Sequence, residues 1–304
     1  MTPSPLRDAL ARFVFEHGGV RGAIVSLDAT HADIMACHAY PAPLARVLAE
    51  LLAASALLAS SLKFDGSLIV QLQGHGPVRL LVVECDARLT MRATAQWTDE
   101  ISVLAPDADL ATLAGGGERG RLAITLDPKD GGPIYQGIVA LEASSIATLI
   151  EHYLDTSEQI PSRMVIQRDD GHVRGLLLQR LPGSTSADDS LWTRAQEALD
   201  DVAPGELLRA ADAAALLTTR FGTDDVRLFE SQSTRFGCSC TRDRVANALR
   251  MVGQQEVEEI LDEQGEVQVT CEFCNRCYAF TPDAARALFT PSAAADEAAG
   301  QMRH

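Results

Sequence analysis

The sequence predicts an α+β protein: an N-terminal domain with a mainly antiparallel sheet packed with helices, then a helical linker, then a small C-terminal four-cysteine module. Three observations predict it. Apolar runs of strand length separated by short turns recur between residues 67 and 180, with few helical patterns among them. After Pro182-Gly183 the composition shifts to alanine and acidic side chains. Five of the seven cysteines then fall within residues 238–280. The expected boundaries are 1–183 for the core domain, 184–237 for the linker, 238–290 for the cysteine module and 291–304 for a flexible, alanine-rich tail.

Leu6, Leu10, Phe13 and Val14 stand at helical spacing and predict a helix that ends at Gly18-Gly19. Arg21-Gly-Ala-Ile-Val-Ser-Leu27 reads as a strand. A helix follows from about 43 to 62, with Pro43 in its first turn, where proline is tolerated. Its run from Leu51 to Leu62 is the longest uncharged apolar stretch, and twelve residues are too few to span a bilayer. Arg46 and Glu50 precede it at helical spacing, so a buried core helix is expected in preference to an exposed binding surface.

Residues 67–73 and 78–85 read as strands joined by the turn Gly74-His75-Gly76-Pro77. Residues 121–126 and 134–141 form a second pair, joined by Asp130-Gly-Gly-Pro133. A helix from about 144 to 155 and strands near 163–168 and 174–180 complete the domain. Short turns and few crossover helices make the sheet mainly antiparallel. The glycines at 115–117 lack the Lys-Ser/Thr partner of a phosphate loop, and the segment to Gly120 reads as a flexible loop.

Residues 184–237 carry ten acidic and five basic side chains. Two weak helical patterns appear, near 190–201 with Leu191, Ala195 and Leu199 on one face, and near 206–217 with Leu207, Ala211 and Ala215. Alanine buries little area, so each face contributes only a few kcal/mol at about 25 cal/mol per Å². That barely offsets the ordering entropy, and the segment reads as a metastable linker, folded only when docked.

A net charge of -16 without a basic run argues against nucleic acid and anionic membranes as partners. The N-terminus has charges where a signal peptide needs an apolar core, which predicts a cytoplasmic chain with reduced thiols. No G-x-S-x-G or H-E-x-x-H motif is present, and no enzyme activity is expected. Cys37 and Cys85 stand alone and read as buried core cysteines.

Cys238-Ser-Cys240, thirty residues, then Cys271-Glu-Phe-Cys274 is the informative constellation. Two close thiol pairs can supply four sulfurs to one tetrahedral zinc ion. Helices near 241–251 and 254–262, a turn at Gly265 and a short strand into Cys271 separate the pairs. A module this small has little core of its own, so a metal would supply much of its folding free energy. Cys277 could replace Cys274 as a ligand; Cys274 is preferred because Asn275 suits the left-handed residue that closes such a turn. No histidine lies between 173 and 303, which disfavours a mixed site. Peroxide can convert a thiolate to a sulfenic acid, and a neighbouring thiol can condense with it to a disulfide. The close pairs 238/240 and 271/274 are the obvious partners.

The sequence resembles the heat shock protein 33 family of redox-regulated holdase chaperones. The resemblance rests on the C-x-C and C-x-x-C arrangement, on Tyr40-Pro41 with Leu48-Ala-Glu-Leu51, on Leu62-Lys-Phe-Asp-Gly66 and on Val70-Gln-Leu-Gln-Gly74. It continues through Tyr135-Gln-Gly-Ile-Val139, Leu141-Glu142 and Ser157-Glu-Gln-Ile-Pro161, over nearly the whole chain. It implies a reduced, inactive form holding one zinc ion on Cys238, Cys240, Cys271 and Cys274. It implies that oxidation forms the Cys238–Cys240 and Cys271–Cys274 disulfides, releases zinc and unfolds the linker. The protein would then dimerise and hold unfolding client proteins without ATP. Cys277 departs from the family pattern and is an extra thiol.

Two rival classes fit less well. A nucleic-acid-binding zinc module should be basic, but residues 238–280 carry four arginines and eight acidic side chains. A C-x-x-C oxidoreductase needs a helix N-terminus to lower one thiol's pKa, and Cys271 follows a predicted strand instead.

Overall fold

A computed structural model of the chain describes residues 7–61, 65–115, 120–182, 186–222 and 224–290, with the side chains of 186–188 excepted. Leu6, the Leu62–Phe64 part of the quoted motif, most of the glycine-rich loop, Gly183 and the tail from 291 lie outside the described residues. The chain divides into two compact units, residues 1–237 and 238–304.

The first unit opens with strands β1 (Ala9–Phe15) and β2 (Val20–Leu27), a short helix α1 (Ala29–Met35) and the long helix α2 (Ala42–Ser61). Strands β3 (Gly66–Gln73), β4 (Val78–Asp86) and β5 (Thr90–Trp97) follow, then a 3-10 turn and helix α3 (Leu110–Ala114). Strands β6 (Arg121–Pro128) and β7 (Tyr135–Ala140), helix α4 (Ile146–Thr156) and strands β8 (Ser162–Arg168) and β9 (Val173–Arg180) complete the core. After it come helices α5 (Ser186–Asp200), α6 (Glu206–Arg209) and α7 (Ala213–Phe221). Three short strands close the unit: β10 (Val226–Leu228), β11 (Gln232–Ser233) and β12 (Arg235–Phe236).

The strands form two sheets rather than one. The first runs β10-β1-β2-β9-β8, with β11 also on β1; the second runs β12-β5-β4-β3-β6-β7. All pairings are antiparallel except the parallel β12–β5 contact. Helix α2 shares one apolar core with both sheets, and fourteen of its twenty residues are buried. It is long and apolar enough by composition to cross a membrane, contrary to the count from Leu51 alone, but it is the core helix of this unit. Gly175 lets α2 come close: a Cβ there would fall 2.8 Å from Leu57 Cδ1.

The expected N-terminal helix is absent, and its residues form β1. A spacing of four is even, so Leu10 and Val14 share a strand face as readily as a helix face. The usual polar alternation is missing because both faces of β1 are covered along most of its length, with Arg12 the exposed exception. Leu10 packs into the α2 core, whereas Ala11, Phe13 and Phe15 face the opposite way. The strand β5 was not legible either, because Ala93, Thr94 and Ala95 give it little apolar signal. Gly74-His75-Gly76 is a hairpin turn as expected, with the His75 and Gly76 amides both donating to the Ala114 carbonyl.

Helices α5 to α7 lie on the outer face of the first sheet. Leu191, Trp192 and Leu199, then Leu216, Leu217 and Phe221, pack with Phe13, Phe15, Ile24, Leu176 and Leu178. The second expected helix is divided. Asp212 caps α7 by accepting from the Ala215 amide, which starts a new register. Ala211 and Ala215 are therefore exposed, and the buried face is Ala213, Leu216, Leu217 and Phe221. Gln167 accepts from the Leu207 amide and donates to the Ala203 carbonyl, which fastens α6 to β8.

The second unit contains α8 (Arg242–Val252), α9 (Gln254–Gln264), the hairpin β13 (Val267–Thr270) and β14 (Cys277–Phe280), and α10 (Pro282–Ala287). Its own core is small: nine buried residues among those described, with Ala285, Val257, Val267 and Phe280 the most enclosed.

Candidate metal centre

Cys238 and Cys240 lie in the extended segment that leads into α8, whose first turn is capped by the Thr241 hydroxyl accepting from the Arg244 amide. Cys271 and Cys274 occupy the turn between β13 and β14. There the Asn275 amide donates to the Cys271 carbonyl at 2.8 Å, and the Cys271 amide donates to the Arg276 carbonyl at 2.9 Å. Asn275 takes a left-handed conformation with φ 56°, which folds both sulfurs to one side.

The four sulfurs lie within 4.8 Å of one another, and all four residues are half-buried. Cys238 and Cys271 are 3.7 Å apart, Cys240 and Cys274 3.3 Å. Zinc–thiolate bonds of about 2.3 Å in a tetrahedron give sulfur–sulfur edges of about 3.8 Å, so the cluster fits that ion in size and in donor chemistry. These two spacings join one segment to the other, as the edges of a tetrahedron allow, and none of the seven cysteines is in a disulfide.

The surroundings complete a ligand shell. The Tyr278 hydroxyl donates to Cys240 Sγ at 3.2 Å. Burial opposes ionisation of Cys240, but the bonds from Tyr278 and the neighbouring thiols outweigh it and lower its pKa. Burial pushes Cys274 up, and its bond to Cys240 pushes it further. Four thiolates at these spacings repel unless a cation sits between them. Arg276 interacts with Tyr278 and with the Cys240 and Cys274 sulfurs, which suits a site of net negative charge.

Cys277 is left out of this cluster. It is exposed at the start of β14, on the face opposite Tyr278 and Phe280, with its sulfur 3.9 Å from Gln268 Oε1. The alternation of β14 thus turns Tyr278 inward and Cys277 outward. Cys85 is buried in the core, and burial raises its pKa well above that of a free thiol. Cys37 is only half-buried, at the end of α1, which corrects the expectation of a core thiol.

The family model of the Hsp33 protein matches residues 8–281. The chain belongs to the Hsp33 family. The 33 kDa chaperonin of Methylobacillus flagellatus is 43% identical over 287 residues, covering 94% of this chain and 95% of its own. That of Chromobacterium violaceum is 41% identical, covering 98% of each. The crystal structure of the Thermotoga maritima 33 kDa chaperonin, a heat shock protein 33 homologue, superposes with a TM-score of 0.80 at 23% identity, covering 92% of this chain and 97% of that one. That likeness shows the α+β fold of the Hsp33 family. Family membership supports a chaperone function, and the cysteine cluster fits a metal site.

Sequence reasoning missed the contact of Tyr278 with the cluster. Its signal was present only as an aromatic two residues before Phe280 on a strand that starts beside the cluster.

Proposed function

We propose that this Hsp33-family chain is a redox-regulated, ATP-independent holdase that binds unfolding client proteins and prevents their aggregation. The observation that carries this reading is the convergence of Cys238, Cys240, Cys271 and Cys274 in a unit with only nine buried core residues among those described. When bound, one zinc ion would hold the four sulfurs as thiolates and join the two ends of that unit.

In the reduced state the four cysteines bind the metal and the protein is inactive. Under peroxide, a thiolate attacks the O–O bond, becoming a sulfenic acid and releasing hydroxide, which takes up a proton to leave as water. The paired thiolate attacks the sulfenic sulfur, the S–O bond breaks, and the second oxygen also leaves as water. Each disulfide costs one peroxide and two electrons from sulfur. Cys238–Cys240 and Cys271–Cys274 together consume two peroxides and leave no thiolate donor for the ion.

Without that ligation, nine buried residues are too small a core to keep residues 238–290 folded. Residues 184–237 act as the metastable linker: when they leave, Phe13, Phe15, Ile24, Leu176 and Leu178 lose their cover. An uncovered apolar face of that kind holds clients and supports a homodimer of the oxidised form. The four reduced thiols suit the cytoplasm. No ATP hydrolysis or other catalysis is part of the cycle.

The reading is tested by light scattering from a heat-unfolding client, with this protein either reduced and zinc-loaded or treated with peroxide at mild heat. A chromogenic chelator follows zinc. Suppression by the oxidised form alone, with zinc released in step, supports the switch. Equal suppression by both forms, or by neither, contradicts it.

A further inference from the structure

A cleft of about 360 Å³ lies on the inner face of the first sheet, beside the last turn of α2. Cross-strand register builds its floor. Arg227, Val14, Arg21 and Gln179 are successive partners across β10, β1, β2 and β9. Arg12, Ala23 and Leu177 form the adjoining row, and the Phe229 amide donates to the Arg12 carbonyl at its end. Residues paired across neighbouring strands share a face, so this register brings three guanidinium-bearing side chains to one cleft.

The charge there is unbalanced. Arg227 is paired with Glu16 at 3.0 Å and lies over the Phe229 ring. Neither Arg12 nor Arg21 makes an ion pair with a described residue. Two positive charges facing one cleft is unexpected in a chain of net charge -16. Burial, followed by the nearby Arg12 charge, lowers the pKa of Arg21. An anion in the cleft would relieve both.

A second observation points the same way. Gln179 is only 2% exposed, and it lines the cleft. Arg21 Nε donates to Gln179 Oε1 at 3.0 Å, which fixes the orientation of the amide. Its Nε2 is then a buried donor with no partner among the described residues. Such a donor costs free energy unless an acceptor reaches it. The Ser60 and Ser61 hydroxyls donate to the Leu57 and Leu58 carbonyls, and neither accepts from this amide.

We propose that this cleft binds a small amphipathic anion, a phosphate or carboxylate borne on a single ring or short apolar chain. The guanidinium groups of Arg12 and Arg21 match the planar fork of such an anion. The Gln179 amide supplies a further donor, and Val14, Ala23, Leu177 and Phe229 receive the apolar part. The volume is at the small end for ligand sites and excludes a long chain. Arg227 and Phe229 come from the segment after α7, so a bound anion bridges that segment to β1 and favours its paired state by linkage.

Isothermal titration calorimetry on the full-length, reduced, zinc-loaded protein tests this without a chaperone assay, so it stands apart from the redox reading. The probes are phenyl phosphate, phenylacetate, inorganic phosphate and phenol. One site per chain is expected for phenyl phosphate or phenylacetate, and their ranking tells phosphate from carboxylate. Phenol and inorganic phosphate should bind at least about tenfold more weakly. Arg21→Gln and the exposed-site variant Arg12→Gln should each weaken the preferred anion at least about tenfold, as loss of a charged hydrogen bond does. Circular dichroism shows whether each is folded; Arg12 is exposed, so its variant keeps the test open. Absence of saturable binding at millimolar concentrations overturns the proposal. So does wild-type affinity in folded Arg12→Gln, or inorganic phosphate binding as tightly as the aromatic anions.

Discussion

The Arg174 guanidinium on β9 donates to the Leu207 carbonyl at 2.8 Å, and this bond fastens helix α6 to the first sheet. The same side chain donates to the Ala210 carbonyl and to Ser26 Oγ, and it is buried. A cation therefore sits at the C-terminal end of α6, where helix carbonyls retain free acceptor capacity.

Replacing Arg174 with Met keeps the volume of the stem but removes the charged donor from both carbonyls, leaving Leu207 with only the Ala210 amide at 3.3 Å. The first unit should lose about 2 kcal/mol in urea unfolding, by the usual worth of charged hydrogen bonds. Limited proteolysis should cut residues 186–237 sooner than in the wild type. Unchanged cutting would mean that α6 is held by its apolar contacts alone.

Phe221 stacks edge-on to Phe15 at 5.2 Å and lies 6.2 Å from Phe13. Phe221→Ala should cost about 3–5 kcal/mol, the range for a deleted buried aromatic. In the redox reading, that variant suppresses client aggregation at lower temperature and less peroxide. Wild-type activation by a clearly destabilised variant contradicts the docking of α7 as the restraint.

Tyr278→Phe removes only the hydroxyl that reaches Cys240. Loss of such an outer hydrogen bond lowers metal affinity about tenfold or more. Competition against a chromogenic chelator measures it. Cys277→Ser is the matched control: its sulfur lies outside the cluster, so zinc content and affinity should stay at wild-type values. A zinc defect in Cys277→Ser, or none in Tyr278→Phe, contradicts the assigned shell.

His31 is buried on α1, and its Nδ1 has no partner among the described residues. Burial, then the Arg168 charge, lowers its pKa from 6.5, while Asp169 and Asp28 oppose and His172 assists. The folded state thus binds this proton less readily than the unfolded chain. Its contribution is complete above about pH 6.5 and declines as pH falls from there towards the lower folded pKa. Denaturant titrations between pH 7 and 5 should show a steeper decline for the wild type than for His31→Gln. Parallel curves contradict a neutral, buried His31.

Much of this was legible in the sequence, and the omissions have physical reasons. Helix α2 announces itself by an apolar run too long for a strand, and the β3–β4 and β6–β7 hairpins by turn residues between apolar segments. Strand β1 was not legible because its two faces meet two different cores, which erases alternation. Helix α7 was read one register off, because Asp212 restarts the helix and alanines carry no facial signal. Strands β10 to β12 are two or three residues long and gain their identity only from β1 and β5. The spacing of the cysteines points to Cys238, Cys240 and Cys271 with either Cys274 or Cys277, and Asn275 favours Cys274; the hydroxyl of Tyr278 and the Arg12–Arg21–Gln179 cleft depend on strand register, which spacing along the chain does not encode.

The central claim is that oxidation of Cys238, Cys240, Cys271 and Cys274 releases residues 186–237 from the first sheet. Hydrogen exchange by mass spectrometry, on reduced zinc-loaded and on peroxide-treated protein at mild heat, tests it most directly. Peptides from α5, α6, α7 and β10 should lose protection together with those of α8 and α9, while α2 and β3 stay protected. Lost protection in 238–290 with 186–237 unchanged would contradict it.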